Sequence, residues 1–324
     1  MNWIRVALVG VVMVLSGCAS TSNTSGWVSP PMAVPLQASI QQEIQLSRLE
    51  QLLLRPDVDD ITRAKMFYER GLINDSLGLR DLARVDFTQS LNLKPDQSDV
   101  FNILGVYYTQ NTDFDGAYEA LDSALELDPS NQFAERNLAI ALYYGERYDQ
   151  AYEIARKHYN DAPTDPYRAI WLYWIGLEVD PLAATEEFKV QYQQRTDDDF
   201  GWDLAGLILK ETTEDEFFNK LLTTTRNNVE LAQKLTEGYF YLAKCYQHDG
   251  DYPSAIALYK LAMAGNVYEF VEHRYSFVEL GKIYQSLREL QEQKIKEQQA
   301  LEAKETAVSE GIEKEALKEE ALSE

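Results

Sequence analysis

The stretch SDVFNILGVYYTQNTDFDGAYEALDSALELDPSN, residues 98–131, decides the fold. Small residues at Gly105 and Ala117 stand where two successive helices approach each other most closely. Pro129 ends the second helix, because its ring clashes inside a continuing helix and it has no amide donor. The stretch is therefore a helix-turn-helix unit, and the seam between neighbouring units is predicted to hold Leu104, Tyr108, Leu121 and Ala124.

The same landmarks recur every 34 residues along the chain. The three registers are Pro95, Pro129 and Pro163; Ala83, Ala117 and Ala151; and Gly71, Gly105 and Ala139. Agreement of independent registers on one period indicates a repeat array. The segments that begin at Ala64, Ser98 and Gln132 resemble tetratricopeptide repeats. We therefore predict an all-α fold: a tetratricopeptide-repeat solenoid of helix-turn-helix units with extra N- and C-terminal helices.

Composition and turn residues divide the chain into ten predicted segments. These are 1–17, a cleaved lipoprotein signal peptide; 18–36, a flexible tether; 37–63, an N-terminal helical segment; 64–97, 98–131 and 132–165, three repeats; 166–235, an irregular helical region with one degenerate repeat; 236–269, a further repeat-like unit; 270–284, a C-terminal capping helix; and 285–324, an acidic charged tail.

The N-terminus carries an export signal. Arg5 precedes an apolar run from Val6 to Leu15, which is shorter than the ~20 residues that span a bilayer. Leu15, Ser16, Gly17 and Cys18 resemble a bacterial lipobox. The resemblance implies cleavage before Cys18, acylation of its thiol and new amine with lipids such as palmitate, and, with Ala19 following, an outer-membrane lipoprotein that faces the periplasm. The alternative is an ordinary secretory peptide with an accidental cysteine.

The net charge and the cysteine content argue against several kinds of binding partner and against a disulfide bond. The 324 residues carry a net charge of −23, which argues against nucleic acid and anionic lipid headgroups as partners. Either partners with basic patches or plain solubility accounts for this acidity. Once Cys18 is acylated, Cys245 is the remaining thiol, so no intramolecular disulfide is expected. The tail holds 11 acidic and 6 basic groups and no aromatic residue, and we expect a frayed, solvated helix or disorder there.

Several stretches outside the repeats resemble the NlpI family of Gram-negative outer-membrane lipoproteins. They are AVPLQ (33–37), YERG (68–71), DSLGLR (75–80), ALYYG (141–145), WLY (171–173), GW (201–202) and FVEHRY (270–275). The likeness extends from the lipobox to about residue 280, while the 185–230 region and the tail depart from it. It implies a homodimeric adaptor without catalytic activity or cofactor, which binds peptidoglycan hydrolases, notably a cell-wall endopeptidase, and a periplasmic C-terminal processing protease.

Tetratricopeptide units bind partners in the concave groove that their first helices line. Positions two, five, nine and twelve of each repeat are predicted to face it. This selects Lys65, Tyr68, Leu72, Asp75, Asp99, Asn102, Val106, Thr109, Phe133, Arg136, Ile140 and Tyr143 as the predicted protein-binding residues. Tyrosine and arginine are the side chains that most often dominate binding energy.

Two other functions remain open from the sequence. One is a scaffold for outer-membrane or pilus assembly, with the same repeats and anchor. The other is an enzyme that uses Cys245 with His248 as base, although no glycine-rich turn or oxyanion donor accompanies them. A metal site is not predicted, because no two of the three histidines are four residues apart and DVDD (57–60) lacks the glycine and glutamate of a calcium loop.

Overall fold

The structure is a computed structural model that describes residues 30–196 and 198–321. Within these ranges all regular secondary structure is α-helical, which confirms the predicted fold class. The signal peptide, Cys18 and the first part of the tether lie outside the described residues. The first seven helices are α1 Ile40–Leu53, α2 Asp60–Ser76, α3 Arg80–Leu93, α4 Ser98–Gln110, α5 Phe114–Leu127, α6 Gln132–Tyr144 and α7 Tyr148–Asp161. The next seven are α8 Pro166–Gly176, α9 Pro181–Gln193, α10 Phe200–Ile208, α11 Glu214–Thr224, α12 Asn228–His248, α13 Tyr252–Met263 and α14 Val271–Ala321.

Short polar side chains set where many helices begin. The Asp59 carboxylate accepts a hydrogen bond from the Thr62 amide at 2.9 Å, so α2 begins at Asp60, four residues before the predicted repeat start at Ala64. Asn131 caps α6 in the same way, through the Ala134 amide at 3.0 Å. Each cap satisfies an amide that the helix itself leaves without a partner.

Helix pairs pack in chain order, from α2 with α3 to α12 with α13. First helices of neighbouring pairs also touch from α4 through α12, so they form one continuous layer. Ala117, Leu121 and Ala124 are fully buried in the α4–α5 pair, as the repeat pattern predicts. Tyr108 differs from its predicted place in the seam, because 37% of its surface is exposed.

The region from 166 to 235 is more regular than predicted. First helices begin at Ser98, Gln132, Pro166 and Phe200, so the 34-residue step continues through α8 and α10. The region thus holds two helix pairs rather than one degenerate repeat with linking helices. The landmarks are lost there because Tyr173 and Thr185 replace the small residues, and the close approach moves to Gly176 against Ala184.

Two other predicted boundaries also change. The predicted repeat-like unit at 236 starts earlier, since α12 begins at Asn228 behind its Asn227 cap. Predicted tether residues 34–36 are not free: the Leu36 amide donates to the Gly265 carbonyl at 3.0 Å, and the Asn228 side chain bonds both the Val34 amide and carbonyl at 2.8 Å.

The predicted capping helix and acidic tail form one helix, α14. Its first four turns pack against α4, α12 and α13, whereas residues 287–300 are exposed on every side. The tail is therefore a solvated helix rather than disorder over those residues. No helix of the described residues is both long enough and apolar enough to cross a membrane.

Candidate protein-interaction surface

Seven of the twelve predicted groove residues lie at least partly open to solvent. The four exposed side chains are Lys65, Leu72, Asp99 and Phe133. The three half-buried side chains are Tyr68, Asn102 and Arg136. We call these seven residues the open strip. They lie on the first helices α2, α4 and α6, mostly near the helix N-termini.

The other five predicted groove residues are buried, and the prediction that they face an open groove is wrong. They are Asp75, Val106, Thr109, Ile140 and Tyr143. Asp75 is covered by Arg274 of α14, and Tyr143 lies beneath Lys282 of the same helix, 5.6 Å from its ammonium. The Thr109 hydroxyl is used within its own helix, where it donates to the Gly105 carbonyl at 2.9 Å.

The open strip combines an exposed aromatic ring with oriented polar groups. Phe133 is 63% exposed, and the Arg136 guanidinium lies 5.5 Å from its ring centroid. The Asn137 amide donates to the Asn102 side-chain oxygen at 2.8 Å and so fixes the orientation of that side chain. Exposed aromatic and arginine side chains of this kind are the usual anchors of protein interfaces.

Tyr68 joins the strip to the core of the first repeats. Its ring lies 6.1 Å from that of Phe87, which packs with Ala83, Val100 and Tyr107. Burial raises the pKa of the Tyr68 hydroxyl, and the nearby Asp99 carboxylate raises it further. At neutral pH the hydroxyl therefore stays protonated and able to donate a hydrogen bond to a partner.

The first four turns of α14, residues 271–284, fill the rest of the groove, and we call them the groove segment. The Tyr275 ring packs 5.2 Å from Tyr144 and 6.4 Å from Trp171. Glu272, His273, Arg274, Ser276 and Glu279 of the groove segment are also buried. The segment thus covers the predicted groove residues Asp75 and Tyr143, while the open strip stays accessible.

A buried ion pair holds the middle of the groove segment. Lys244 Nζ lies 2.6 Å from Glu279 Oε1, and Tyr144 and Gln247 each donate to the same carboxylate at 3.0 Å. Burial alone raises the pKa of Glu279, but Lys244 and its hydrogen bonds bring that pKa below the usual value. Both groups are therefore charged at neutral pH.

A second cluster contains two carboxyl groups, half-buried Glu237 and buried Glu272, and neither forms an ion pair within the part of the chain that the structure describes. Tyr167 donates to Glu237 at 3.1 Å, and Tyr241 donates to Glu272 at 3.2 Å. Burial raises the pKa of both carboxyls, and the charge of Glu272 raises that of Glu237 further. The pair consequently favours the protonated form.

The sequence prediction missed the groove segment because its residues look like surface residues. Glu272, Arg274 and Glu279 are ionisable, and their partners stand up to 199 positions away in the chain. The available signal was the stretch FVEHRY (270–275), in which the ionisable residues Glu272, His273 and Arg274 stand between aromatic residues at both ends. The sequence pattern predicts a capping helix over 270–284 and a family resemblance at FVEHRY, but it does not predict that these residues are buried in the groove.

The enzyme alternative gains no support from Cys245. Burial raises the pKa of this thiol to about 12, so it is protonated and weakly nucleophilic at neutral pH. Cys245 lines a cavity of about 300 Å³ together with Lys210, Asp249 and Tyr246. Among the described residues, no group of three or more His, Cys, Asp or Glu side chains is arranged to hold a metal ion.

Comparison with known proteins places one repeat within a family. The family model described as tetratricopeptide repeat matches residues 98–131. MamA AMB-1 is a similar solved structure, with 21% identity, a TM-score of 0.41, and coverage of 47% of this chain and 89% of that one. PilF of Pseudomonas aeruginosa has 20% identity, a TM-score of 0.38, and coverage of 62% and 90%. PilW, described as a widely conserved type IV pilus biogenesis factor, has 17% identity, a TM-score of 0.40, and coverage of 73% and 98%.

The matched repeat and the helix pairs define the class of this protein. Over the described residues it is an array of helix pairs of the tetratricopeptide-repeat type, a fold whose stacked units form extended binding surfaces. The assignment rests on residues 98–131 and on the 34-residue spacing of the first helices, because the structural likenesses are too distant to carry function.

Proposed function

We propose that this protein is an outer-membrane lipoprotein adaptor that binds peptidoglycan hydrolases, in particular an endopeptidase, and a periplasmic C-terminal processing protease. By holding enzyme and protease together it regulates cell-wall turnover and cell division. The observation that carries the proposal is the open strip, where exposed Phe133 stands beside Arg136 on a repeat helix. The resemblance of FVEHRY (270–275) and the other quoted stretches to NlpI-type lipoproteins supplies the identity of the partners.

An adaptor of this kind works through proximity. A short flexible connection between two bound proteins gives effective concentrations in the millimolar range. Bond-making by the scaffold is not required, and substitution of Cys245 by Ser should leave the biological activity intact.

Membrane attachment is the second part of the proposal. Acyl chains on Cys18 contribute about 0.8 kcal/mol per buried CH₂, so several chains give lasting attachment to the outer membrane with the scaffold in the periplasm. A Cys18→Ser variant should lose incorporation of labelled palmitate and move from the membrane to the soluble periplasmic fraction. Unchanged membrane attachment of that variant would contradict the lipobox assignment.

We further propose a homodimer, formed with the help of α1. This helix buries Leu49, but Ile40 and Ile44 are 76% and 62% exposed. Two such residues one turn apart present an apolar face that a second copy would cover. Ile40→Lys together with Ile44→Lys should shift the purified protein to the monomer in light scattering.

Crosslinking in cells tests the partners. Tyr68, Asn102 and Arg136 are replaced by Ala in one variant, and exposed Arg84, Gln89 and Asn92 of α3 are replaced in a matched control. Because anchors of this kind contribute 1–2 kcal/mol or more each, capture of the hydrolase should fall at least about tenfold in the first variant and stay unchanged in the control. Capture of pilus or barrel-assembly subunits without hydrolases would instead favour the assembly scaffold.

A further inference from the structure

Three cationic or ionisable side chains meet where α14 enters the groove. His273 is only 3% exposed, and its Nδ1 lies 3.1 Å from Arg80 Nη2. Arg274, the next residue, is also 3% exposed. Because an arginine only donates, the Nδ1 atom of His273 must accept, and the imidazole ring is neutral in this arrangement.

The cluster has one facing carboxylate within the described residues. Asp75 of α2 accepts hydrogen bonds from Arg274 and from the Tyr107 hydroxyl of α4. The ring also has a backbone hydrogen bond with Met263 of α13, and it lies 5.1 Å from the Tyr268 ring and 5.9 Å from the Phe277 ring. A proton on His273 would therefore place a third positive charge beside two arginines and would remove the acceptor that Arg80 uses.

We propose that Arg80, His273 and Arg274 form an acid-sensitive latch. The latch holds the groove segment in place while His273 is neutral, and protonation of the ring weakens that hold. Opening would uncover Asp75 and Tyr107, which the groove segment now buries, and so extend the interaction surface beyond the open strip.

The direction of the pH effect follows from the surroundings of the ring. Burial lowers the pKa of His273 from 6.5 to about 4, and the charges of Arg80 and Arg274 act in the same sense. The opened segment takes up its proton at the ordinary pKa, so opening becomes easier as pH falls from 6.5 to 4. A difference of this size corresponds to a limiting change of about 300-fold in the opening equilibrium.

Hydrogen exchange of the intact protein tests the latch. Protection of the amides in 271–277, corrected for intrinsic exchange rates, is compared at pH 7 and pH 4.5. We expect opening to increase on the order of 50-fold in the wild type. His273→Gln keeps an acceptor for Arg80 but has no titrating proton, and its opening should stay nearly constant.

Two matched variants identify the responsible histidine. His248→Gln changes an exposed histidine, and His158→Gln changes a buried one that pairs with Glu135 at 2.9 Å, away from α14. Both should keep the wild-type increase in 271–277. An equal increase in His273→Gln, or no increase in the wild type, would overturn the proposal.

A pH titration of the wild-type protein tests the latch even if the His273→Gln variant fails to fold. The proton NMR signal of His273 should titrate near pH 4, and Arg80→Met should raise that pKa and reduce the increase in opening. A His273 signal that titrates near 6.5 in the wild type would rule the latch out.

Discussion

At the scale of single residues, the stability of the fold depends on a few buried groups. Gly105 lies against Leu121, whose side chain is fully buried. Glu279 is the charged partner of Lys244, whereas Glu272 is a buried carboxyl that accepts a hydrogen bond from Tyr241. Steric space limits which residues fit at position 105. The protonation state decides how Glu272 and Glu279 affect the free energy of unfolding.

A methyl group at position 105 should destabilise the protein. In Gly105→Ala the new Cβ would overlap the branched Cγ of buried Leu121, so we expect a loss of about 1–3 kcal/mol despite the better helix propensity of alanine. Gly281→Ala is the control, since a Cβ there meets nothing within 4 Å, and it should be neutral or stabilising by up to about 1 kcal/mol. Urea denaturation measures both, and equal effects would contradict the close helix approach at Gly105.

The two buried glutamates should respond to amidation in opposite ways. Burial raises the pKa of Glu272, so the fold favours the protonated carboxyl. This stabilisation is fully present below pH 4.5 and is lost as the pH rises through the raised pKa. Glu272→Gln should therefore raise the free energy of unfolding at pH 7.5 by on the order of 1 kcal/mol and do little at pH 4.

Glu279→Gln is the matched control for this prediction. It leaves the Lys244 ammonium buried without its counter-charge, which should cost about 3–5 kcal/mol at pH 7.5. Chemical denaturation at the two pH values provides the test. Destabilisation of Glu272→Gln at pH 7.5 would show that this carboxyl is ionised and paired.

At the scale of elements, α14 has two physically different halves. The groove segment, residues 271–284, contributes the buried partners of Asp75 and Lys244. From residue 287 to residue 300 every position is exposed, and local bonds such as Gln285 to Glu289 at 3.0 Å support the helix. The same helix is thus part of the core at one end and a solvated arm at the other.

Truncations should separate the two halves of α14. Removal of 288–324 should lower the helical circular dichroism signal but change the free energy of unfolding by less than about 0.5 kcal/mol, because residues 288–300 are exposed. Removal of 271–324 should cost far more, because the buried side chains Tyr275, Val278 and Ile283 are lost, and each fully buried apolar side chain contributes about 1.5–3 kcal/mol. Thermal melts of both forms measure this, and a strong loss from the shorter truncation would mean that the arm packs on the body.

At the scale of the whole molecule, the net charge of −23 opposes compactness. Like charges repel over about 10 Å at 0.1 M salt and over about 3 Å at 1 M. The buried pairs Lys244–Glu279 and Arg274–Asp75 are shielded from this screening. Added salt should therefore weaken the repulsion more than it weakens the attractions that hold the groove segment.

The melting temperature should rise with ionic strength. Between 20 mM and 500 mM NaCl we expect an increase of about 1–2 °C, which corresponds to roughly 1 kcal/mol for a chain of 324 residues. Differential scanning calorimetry at pH 7.5 provides the measurement, with sucrose as the control for preferential exclusion. A fall in melting temperature would mean that exposed ion pairs outweigh the general repulsion.

Repetition and capping made the helix pairs predictable from sequence alone. The spacing of Gly71, Gly105 and Ala139, with the proline at the end of each unit, is a local pattern and determines which helices pair. The same pattern selected Tyr68, Phe133 and Arg136 of the open strip. It failed between 166 and 235, where larger residues replaced the landmarks while the 34-residue step persisted.

What only the tertiary structure decided is the occupant of the groove. The amino-acid sequence by itself determined an all-α repeat protein and the helices that line its inner layer. It did not determine that residues 271–284 fold back onto that layer. Buried Glu279 is stable only beside Lys244, which is 35 positions away, and buried Arg274 only beside Asp75, which is 199 positions away. Such pairing depends on three-dimensional proximity, and no short-range pattern encodes it.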